Sequence, residues 1–305
     1  MLSYEEFKEK LKEEFTDYLP EDQKAEWKIV FSKQSKINKE VEKVSLLKNK
    51  PNVCPAINLD SLYERYEEIR IFSSVMYEFA SYFIDFYEKG DTNFPEVTIN
   101  EMMRTDNIIV QLINTEKNKE LLKTVPSKQI FDLSIILRRV HDISRGRFAT
   151  SMVKNEHLQF LDISEEELFE IAIENTGRLL SPEILSMCDI FMDYPEDMWL
   201  ADPDFMEATK GQYVMTNKYR MHGAVSVLFE NELHKLAEKV GCNLYLCPSS
   251  IHEFVIFPDM DEDMKNCIHN IVKEANQTSV SEDDFLSDSL YYYDREQREI
   301  RRICC

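Results

Sequence analysis

Two short apolar runs, separated by a brief polar block, constrain the fold of this chain more than any other feature. Residues 244–247 and 254–257 each have the length and composition of a buried strand. The polar block 248–253 between them is far too short for a helical crossover, so the strands pair antiparallel as a hairpin. Close spacing of this kind favours an α+β fold over a doubly wound parallel sheet.

Periodicity predicts the remaining helices and strands. Apolar residues that recur every three or four positions predict helices at 3–19, 60–70, 73–87, 164–179, 182–190, 223–240 and 261–275. Runs rich in Ile, Val and aromatic residues predict strands at 27–31, 41–47, 107–114, 132–140, 147–153, 212–216, 290–293 and 298–303. We therefore expect mixed or antiparallel sheets with packed helices, arranged in two subdomains.

The domain boundary is less sharply marked than the elements. A strand-rich first part gives way near residue 158 to a part in which helices and strands alternate, which predicts subdomains at 1–158 and 159–305. No linker rich in Gly, Ser or Pro marks this boundary. One continuous domain with a shared core is therefore the alternative, and 305 residues are enough for either arrangement.

The charge balance limits the partners. The formal net charge is −21, and such a surface repels phosphate backbones, so we expect no nucleic acid and no membrane as a partner. The carboxylates follow amphipathic spacing, which is typical of solvated helix faces. The alternative is an acidic strip that mimics nucleic acid or docks onto a basic protein.

The cysteines indicate a reducing compartment. There are seven, an odd number, and none forms a Cys-x-x-Cys pair. This pattern is typical of reduced thiols, and we expect a cytoplasmic protein. The terminal pair Cys304 and Cys305 resembles a lipid-accepting tail, but an unstructured end with two free thiols is the favoured interpretation.

No cofactor or metal is expected from the motifs. The histidines never have His-x-x-x-His spacing, and the acidic run 259–263 lacks the glycine of a calcium loop. Six glycines and the absence of a Walker or Gly-x-Gly-x-x-Gly motif argue against a nucleotide cradle. Arg138 and Arg139, and likewise Arg145 and Arg147, offer an anion site, but solvation at strand ends is the more typical role.

The polar block supplies the candidate catalytic residues, which are Ser249, Ser250, His252 and Glu253. Residues two apart along a strand share a face, so Ser250 next to His252 provides the minimum for a base-activated nucleophile. The structural interpretation is a hairpin turn, in which the serines bond to turn amides and His252 and Glu253 satisfy each other or nearby backbone. Ligand binding is a third possibility.

A second polar loop supplies the candidate binding residues Thr216, Asn217 and His222. If the sheet places this loop beside the polar block, the two form one polar cleft. A separation well beyond hydrogen-bond reach would remove that hypothesis. Asn175 joins the binding candidates because it is an amide on the apolar stripe of its helix, where we expect it to bond to neighbouring backbone.

Several motifs spread along the chain carry a family resemblance. The most specific is Pro248-Ser249-Ser250-Ile251-His252-Glu253. The others are Tyr213-Val214-Met215-Thr216-Asn217, His222-Gly223-Ala224, Cys54-Pro55-Ala56-Ile57-Asn58-Leu59, Phe131-Asp132-Leu133-Ser134 and Glu174-Asn175-Thr176. Over nearly its whole length the chain resembles a domain-of-unknown-function family common in gut Firmicutes. The resemblance implies a bacterial cytoplasmic protein of one full-length domain type, and it transfers no activity. The acidic segment 281–288 and the double-cysteine end depart from that family.

Three functions follow from these observations. The first is a non-catalytic binding or interaction protein, with another protein as the candidate partner. Its contact region is the loop 216–224 with the turn 249–253. The second is a hydrolase-like enzyme in which His252 acts as base and Ser250 or Ser249 as nucleophile. The third is an acidic inhibitor or mimic that engages a basic protein.

Overall fold

The computed structural model describes residues 1–21, 24–48, 55–88, 104–144, 147–192, 211–260 and 264–303. Expectations that concern Cys54, Arg145, the acidic residues 261–263 and the terminal cysteines fall outside this part of the chain. The chain divides into two compact units, Met1–Thr98 and Ile99–Cys305. Helices accompany antiparallel sheets in both, which confirms the α+β fold class. The boundary near residue 158 stays a prediction.

The first unit packs three helices and a three-stranded sheet around an aromatic core. Its elements are α1 (Tyr4–Glu14), β1 (Trp27–Lys36), β2 (Lys39–Lys48), β3 (Ile57–Asn58), α2 (Leu59–Ile69) and α3 (Phe72–Glu88), with 3₁₀ helices at Phe15–Tyr18 and Lys24–Glu26. Helix α1 begins with a capping box formed by Ser3 and Glu6. Helix α2 is capped by Asn58, two residues before the predicted helix start at Asp60, because the Asn58 side chain accepts from the Asp60 amide.

The second unit contains the rest of the elements. Its helices are α4 (Lys119–Leu122), α5 (Asn155–Leu158), α6 (Glu165–Leu180), α7 (Met187–Met192), α8 (Glu230–Val240) and α9 (Met264–Thr278), with 3₁₀ helices at Gly223–Leu228 and Glu282–Asp284. Its strands are β4 (Ile108–Asn114), β5 (Ser127–Ile130), β6 (Leu133–Ser144), β7 (Arg147–Met152), β8 (Pro182–Ser186), β9 (Tyr213–Asn217), β10 (Leu244–Ser250), β11 (Glu253–Pro258), β12 (Leu290–Asp294) and β13 (Glu299–Ile303).

Two antiparallel sheets organise this unit. One has the order β4-β6-β5, with β7 paired to β6, and the other has the order β13-β12-β10-β11-β9-β8. Their apolar faces share one core with α6 and α8, to which Leu244 and Leu246 of β10 contribute. The alternate residues of the same strand, Tyr245 and Cys247, pack against Ile268 of α9. Strand β10 is therefore buried on both faces, as its continuous apolar run predicts.

Helix α6 covers the free edge of strand β4. The Thr176 hydroxyl accepts from the Val110 amide at 2.9 Å, and the Asn175 side-chain amide donates to the carbonyls of Thr105 and Ile108 at 2.8 and 3.0 Å. These bonds satisfy backbone groups that an edge strand otherwise leaves open. The expectation that Asn175 bonds to neighbouring backbone is confirmed.

Three local predictions were wrong. The helix expected at 182–190 begins only at Met187, because residues 182–186 form the edge strand β8 and pair with β9, and proline is tolerated at the start of an edge strand. The helix expected at 223–240 is broken at Phe229, whose ring packs so closely on the backbone of Gly177 that a Cβ there would lie 2.8 Å from it. Strand β5 was missed because its four residues carry no apolar alternation.

Within the described residues, no helix combines the length and the apolar character that a membrane crossing requires.

Candidate functional site

The two polar loops singled out in the sequence meet in the second unit. Strand β9 pairs with β11, so the end of β9 lies beside the turn of the β10–β11 hairpin. The Thr216 hydroxyl donates to the carbonyl of His252 at 2.9 Å, and the amide of His222 donates to Nδ1 of His252 at 3.1 Å. The amide of Ala224 donates to the carbonyl of Ile251 at 3.3 Å. The expected adjacency is confirmed, and we call residues 216–224 and 249–253 the two-loop site.

Gly223 makes this close approach possible. A Cβ at this position would lie 2.2 Å from the Thr216 hydroxyl and 2.5 Å from the carbonyl oxygen of His252. Real Cβ atoms do not come so near, and the second obstacle is backbone, which cannot swing aside. Glycine is required here for space, since backbone and backbone must touch for the loops to join.

The loop that follows β9 holds two residues in the left-handed region. Arg220 has φ 54° and His222 has φ 52°. Asn217 braces this path, because its side-chain amide donates to the carbonyl of Met221 and its side-chain oxygen accepts from the amide of Tyr219. Non-glycine residues adopt such angles at a cost, and they persist where the surroundings impose them, commonly at functional sites.

Thr216 and Asn217, both expected to contact a ligand, are almost fully buried. Their side chains point into the loop contacts just described. The structure thus places them as supports of the two-loop site, and a direct binding role for either stays a prediction. Asn175 lies elsewhere, at the edge of β4.

Both ring nitrogens of His252 have partners. Nδ1 accepts from the His222 amide, so the ring proton sits on Nε2, which donates to Oδ1 of Asp284 at 3.2 Å. The hydroxyl oxygen of Ser250 accepts from the backbone amide of His252 at 3.0 Å. The serine therefore bonds to the turn amide, as the hairpin interpretation expected, and the imidazole joins the two loops to the segment that carries Asp284.

Asp284 was missed in the sequence because it sits among similar acidic residues. The 3₁₀ helix Glu282–Asp284 begins at Ser281, whose hydroxyl accepts from the Asp284 amide and donates to its Oδ2 at 2.8 Å. The carbonyl of Asp284 also accepts from the amide of Ile251 at 2.8 Å. The acidic segment 281–288 is thus attached to the hairpin turn. A serine three residues before an aspartate was the available signal.

The ring of His222 is turned towards the first sheet of the unit. Its Nδ1 lies 2.6 Å from Nε2 of Gln111, and its ring centre lies 5.3 Å from that of Phe148 and 5.7 Å from that of His252. Burial, and after it the positive charge of Arg138, lower the pKa of His222 to about 3. The imidazole is therefore neutral at physiological pH, and acceptance at Nδ1 leaves the ring proton on Nε2.

Gln111 and Arg138 lie on one face of the sheet. Gln111 is opposite Ile136 in the pairing of β4 with β6, so Arg138, two residues further on, is its diagonal neighbour. Gln111 is completely buried, and its Oε1 has no hydrogen-bond partner among the described residues. The expectation that Arg138 and Arg139 are simply solvated is wrong for Arg139, which is buried and donates to the carbonyl of Arg104.

Glu253 occupies the start of β11 and is half-buried. Burial raises the pKa of its carboxyl group, while the neighbouring His252, the positive charge of Arg220 and a hydrogen bond from Ser249 oppose that rise. Ser249 and Glu253 are thus brought together, one on each strand of the hairpin. The four catalytic candidates share one turn, but the Ser250 hydroxyl is bonded to the backbone amide of His252, and the His252 ring is bonded to the His222 amide and to Asp284.

A metal centre has no support in the described part of the chain, where no group of three or more His, Cys, Asp or Glu side chains is arranged to hold an ion. Cys242 and Cys247 are free thiols. Burial raises the pKa of Cys247, which makes it an inert core thiol and not a nucleophile.

Comparison with known protein families gives a match over most of the chain. Residues 4–295 match the model of a family described as a family of unknown function, DUF5688. The chain belongs to this family. The matched residues include the whole two-loop site, Gln111, Arg138 and Asp284, so the family description applies to the site, although it assigns no activity. Searches of curated proteins and of solved structures found no match.

Proposed function

We propose that this member of the DUF5688 family is a non-catalytic binding protein, and that the two-loop site is its contact region. The observation that carries the proposal is the bonding of His252. A base that activates a serine needs a ring nitrogen directed at the hydroxyl. Both nitrogens of His252 are bonded elsewhere, to the His222 amide and to Asp284.

The rigidity of the site also supports binding. The left-handed Arg220 and His222 are fixed by Asn217 and by the contact at Gly223. A surface that is already ordered loses little conformational entropy when a partner arrives, which favours affinity. The side chain of His252 is one-quarter exposed, so the junction of the loops is accessible from solvent.

The test compares two histidine variants in partner capture from a bacterial extract. His252→Ala removes the side chain that joins the loops, and His141→Ala removes an exposed histidine of β6 that bonds to Ser151. We expect both variants to fold, and we expect His252→Ala alone to lose the partner or ligand that the wild-type chain retains. Equal capture by wild type and His252→Ala would contradict the proposal.

The hydrolase alternative is tested separately with simple p-nitrophenyl esters. We expect no turnover that depends on Ser250, because its hydroxyl is bonded to the turn amide. Ester hydrolysis that disappears in Ser250→Ala would replace the binding function with an enzymatic one. For the acidic mimic, capture of a basic partner that is equally strong at low and high salt would count against charge-driven association.

We also propose that the protein is bacterial and cytoplasmic. We further propose that the motif from Pro248 to Glu253 is a hallmark of the family, and that the family is common in gut Firmicutes. The cysteine pattern supports the first point. Cell fractionation of the native protein tests it, and recovery in a secreted fraction would contradict it.

A further inference from the structure

Arg138 is a mostly buried cation, and no carboxylate among the described residues pairs with it. Its Nε donates to the hydroxyl of Thr150 at 2.7 Å, and one Nη donates to the carbonyl of Thr150 at 3.2 Å. These bonds use two of the five N–H groups of a guanidinium. Within the described residues the other three have no hydrogen-bond partner and no acid to pair with. Burial lowers the pKa of Arg138 to about 10, so the side chain is still charged at neutral pH.

Several other arginines of this acidic chain are paired with carboxylates. Arg65 meets Glu78 at 3.1 Å, and Arg298 meets Glu230 at 2.6 Å. A charge removed from water without a counter-ion is costly, and proteins normally pair it. The net charge of the chain is −21, yet no carboxylate among the described residues meets Arg138, which favours an anion supplied from outside.

Two further groups near Arg138 have unused hydrogen-bonding capacity. The Nε2–H of His222 has no partner within the described part of the chain, since Gln111 is bonded to the other nitrogen. The Oε1 of Gln111, fully buried, is an acceptor without a donor. Together the three side chains offer N–H donors to an oxyanion and one acceptor to a neighbouring hydroxyl.

The acidic groups nearby are already engaged. Asp284 is bonded to His252 and to the hydroxyl of Ser281. Burial raises the pKa of Glu253, and Ser249 bonds to it. Neither carboxylate is therefore directed at Arg138, and neither neutralises it.

We infer that the two-loop site binds a small molecule through an oxyanion, a carboxylate or phosphate group, held by the guanidinium of Arg138 and the Nε2–H of His222. A hydroxyl next to that oxyanion donates to Oε1 of Gln111. This inference rests on the proposed binding function and names the class of ligand. Bidentate pairing with a planar carboxylate or a phosphate is the geometry that arginine favours.

The test uses the full-length chain with two probes, inorganic phosphate and malate, a carboxylate that carries an adjacent hydroxyl. Dissociation constants are measured by calorimetry against sodium chloride at matched ionic strength. We expect saturable binding of at least one probe, weakened at least tenfold by Arg138→Gln. The control Arg302→Gln makes the same change of charge at an arginine that faces Asp132, and we expect less than a twofold effect. Tighter binding of malate than of phosphate assigns a hydroxycarboxylate, and the reverse assigns a phosphate compound.

A second measurement avoids the variants, in case Arg138→Gln does not fold. On addition of the bound probe, the Nε2 resonance of His222 in the wild-type chain should shift along the same saturation curve. Absence of saturable binding for both probes overturns the inference, as does an equal loss in Arg302→Gln, which would indicate a general charge effect. If the oxyanion inference fails in either of these ways, the proposed binding function still stands as long as His252→Ala loses its partner. Ester hydrolysis that depends on Ser250 would instead overturn the proposed binding function.

Discussion

Replacing Gly223 by alanine tests the close contact that joins the two loops. The added Cβ would lie 2.2 Å from the Thr216 hydroxyl and 2.5 Å from the carbonyl of His252. The hydroxyl can rotate, but the carbonyl belongs to the hairpin turn and is fixed by the pairing of β10 with β11. The loops must therefore separate for the variant to fold.

Separation removes the three hydrogen bonds between the loops, donated by Thr216, His222 and Ala224. Each such bond contributes about 1 kcal/mol, so the loss in the free energy of unfolding is about 3 kcal/mol. Alanine makes the unfolded chain less flexible than glycine does, which returns about 0.5 to 1 kcal/mol. The expected net destabilisation is about 2 kcal/mol.

Gly241→Ala is the matched control. Gly241 has φ +77° and nothing within contact distance of an added Cβ, so alanine there is penalised by backbone conformation alone. That penalty is about 1 to 2 kcal/mol before the same return from the unfolded chain. Both variants make the same chemical change, but only Gly241 carries the left-handed penalty. The excess destabilisation of Gly223→Ala over Gly241→Ala is therefore a lower bound on the cost of the close contact at Gly223.

Hydrogen exchange of the β10 and β11 amides measures the free energy of opening in this unit, without assuming that both units unfold together. We expect Gly223→Ala to lower it more than Gly241→Ala does. We also expect Gly223→Ala to weaken the protection of the His222 amide selectively. A Gly223→Ala protein as stable as Gly241→Ala, with His222 still protected, would refute the close contact.

Two further predictions concern neighbouring features of the second unit. The pKa of His222 is about 3 in the folded chain, below its ordinary 6.5, so the unfolded chain takes up the proton first, and stability that is present above pH 6.5 is lost as the pH falls towards 3. Urea titrations at a series of pH values should therefore show that the free energy of unfolding of His222→Gln falls less steeply with acid than that of the wild-type chain. An unchanged dependence on pH would contradict the buried neutral ring. Thr176→Val removes the acceptor for the Val110 amide and should lower the free energy of unfolding by about 1 to 3 kcal/mol. The control Thr278→Val loses only exposed bonds to Glu274 and Ser279 and should change stability by less than about 0.5 kcal/mol. Equal effects would mean that α6 does not protect the β4 edge.

Features determined by neighbouring residues could be predicted from the sequence. The capping boxes at Ser3 and Ser164 each involve two residues three apart, and both are present. Gly241 ends α8 in the left-handed conformation, as its position after an amphipathic run predicts. The hairpin of β10 and β11 needs only a short connection, and it formed with the expected partners.

Features determined by distant pairing could not be predicted in the same way. Pro182 is equally suited to the first turn of a helix and to the start of an edge strand. Pairing with β9, more than 25 residues away, decides between them. The contact between the two loops could be stated only as a condition, because it depends on β9 lying beside β11.

The partners of Gln111 and Asp284 in the candidate site also depend on distant pairing and could not be predicted from the sequence. Gln111 lies inside a run of Ile, Val and Leu, and a buried amide in such a strand is itself a signal that a partner is needed. The sequence does not say that the partner is His222, more than a hundred residues later. Asp284 is one of three consecutive acidic residues, and only the turn of the chain at Ser281 selects it.

The protonation of the His252 ring separates a histidine that joins two loops from a histidine that serves as a base. Nitrogen NMR of the imidazole, recorded on the wild-type chain well above pH 6.5, reports which nitrogen carries the proton. We expect the proton on Nε2, directed at Asp284, and an Nδ1 that accepts from the His222 amide. A proton on Nδ1, or an Nε2 coupled to the hydroxyl of Ser250, would contradict the binding function and restore the hydrolase.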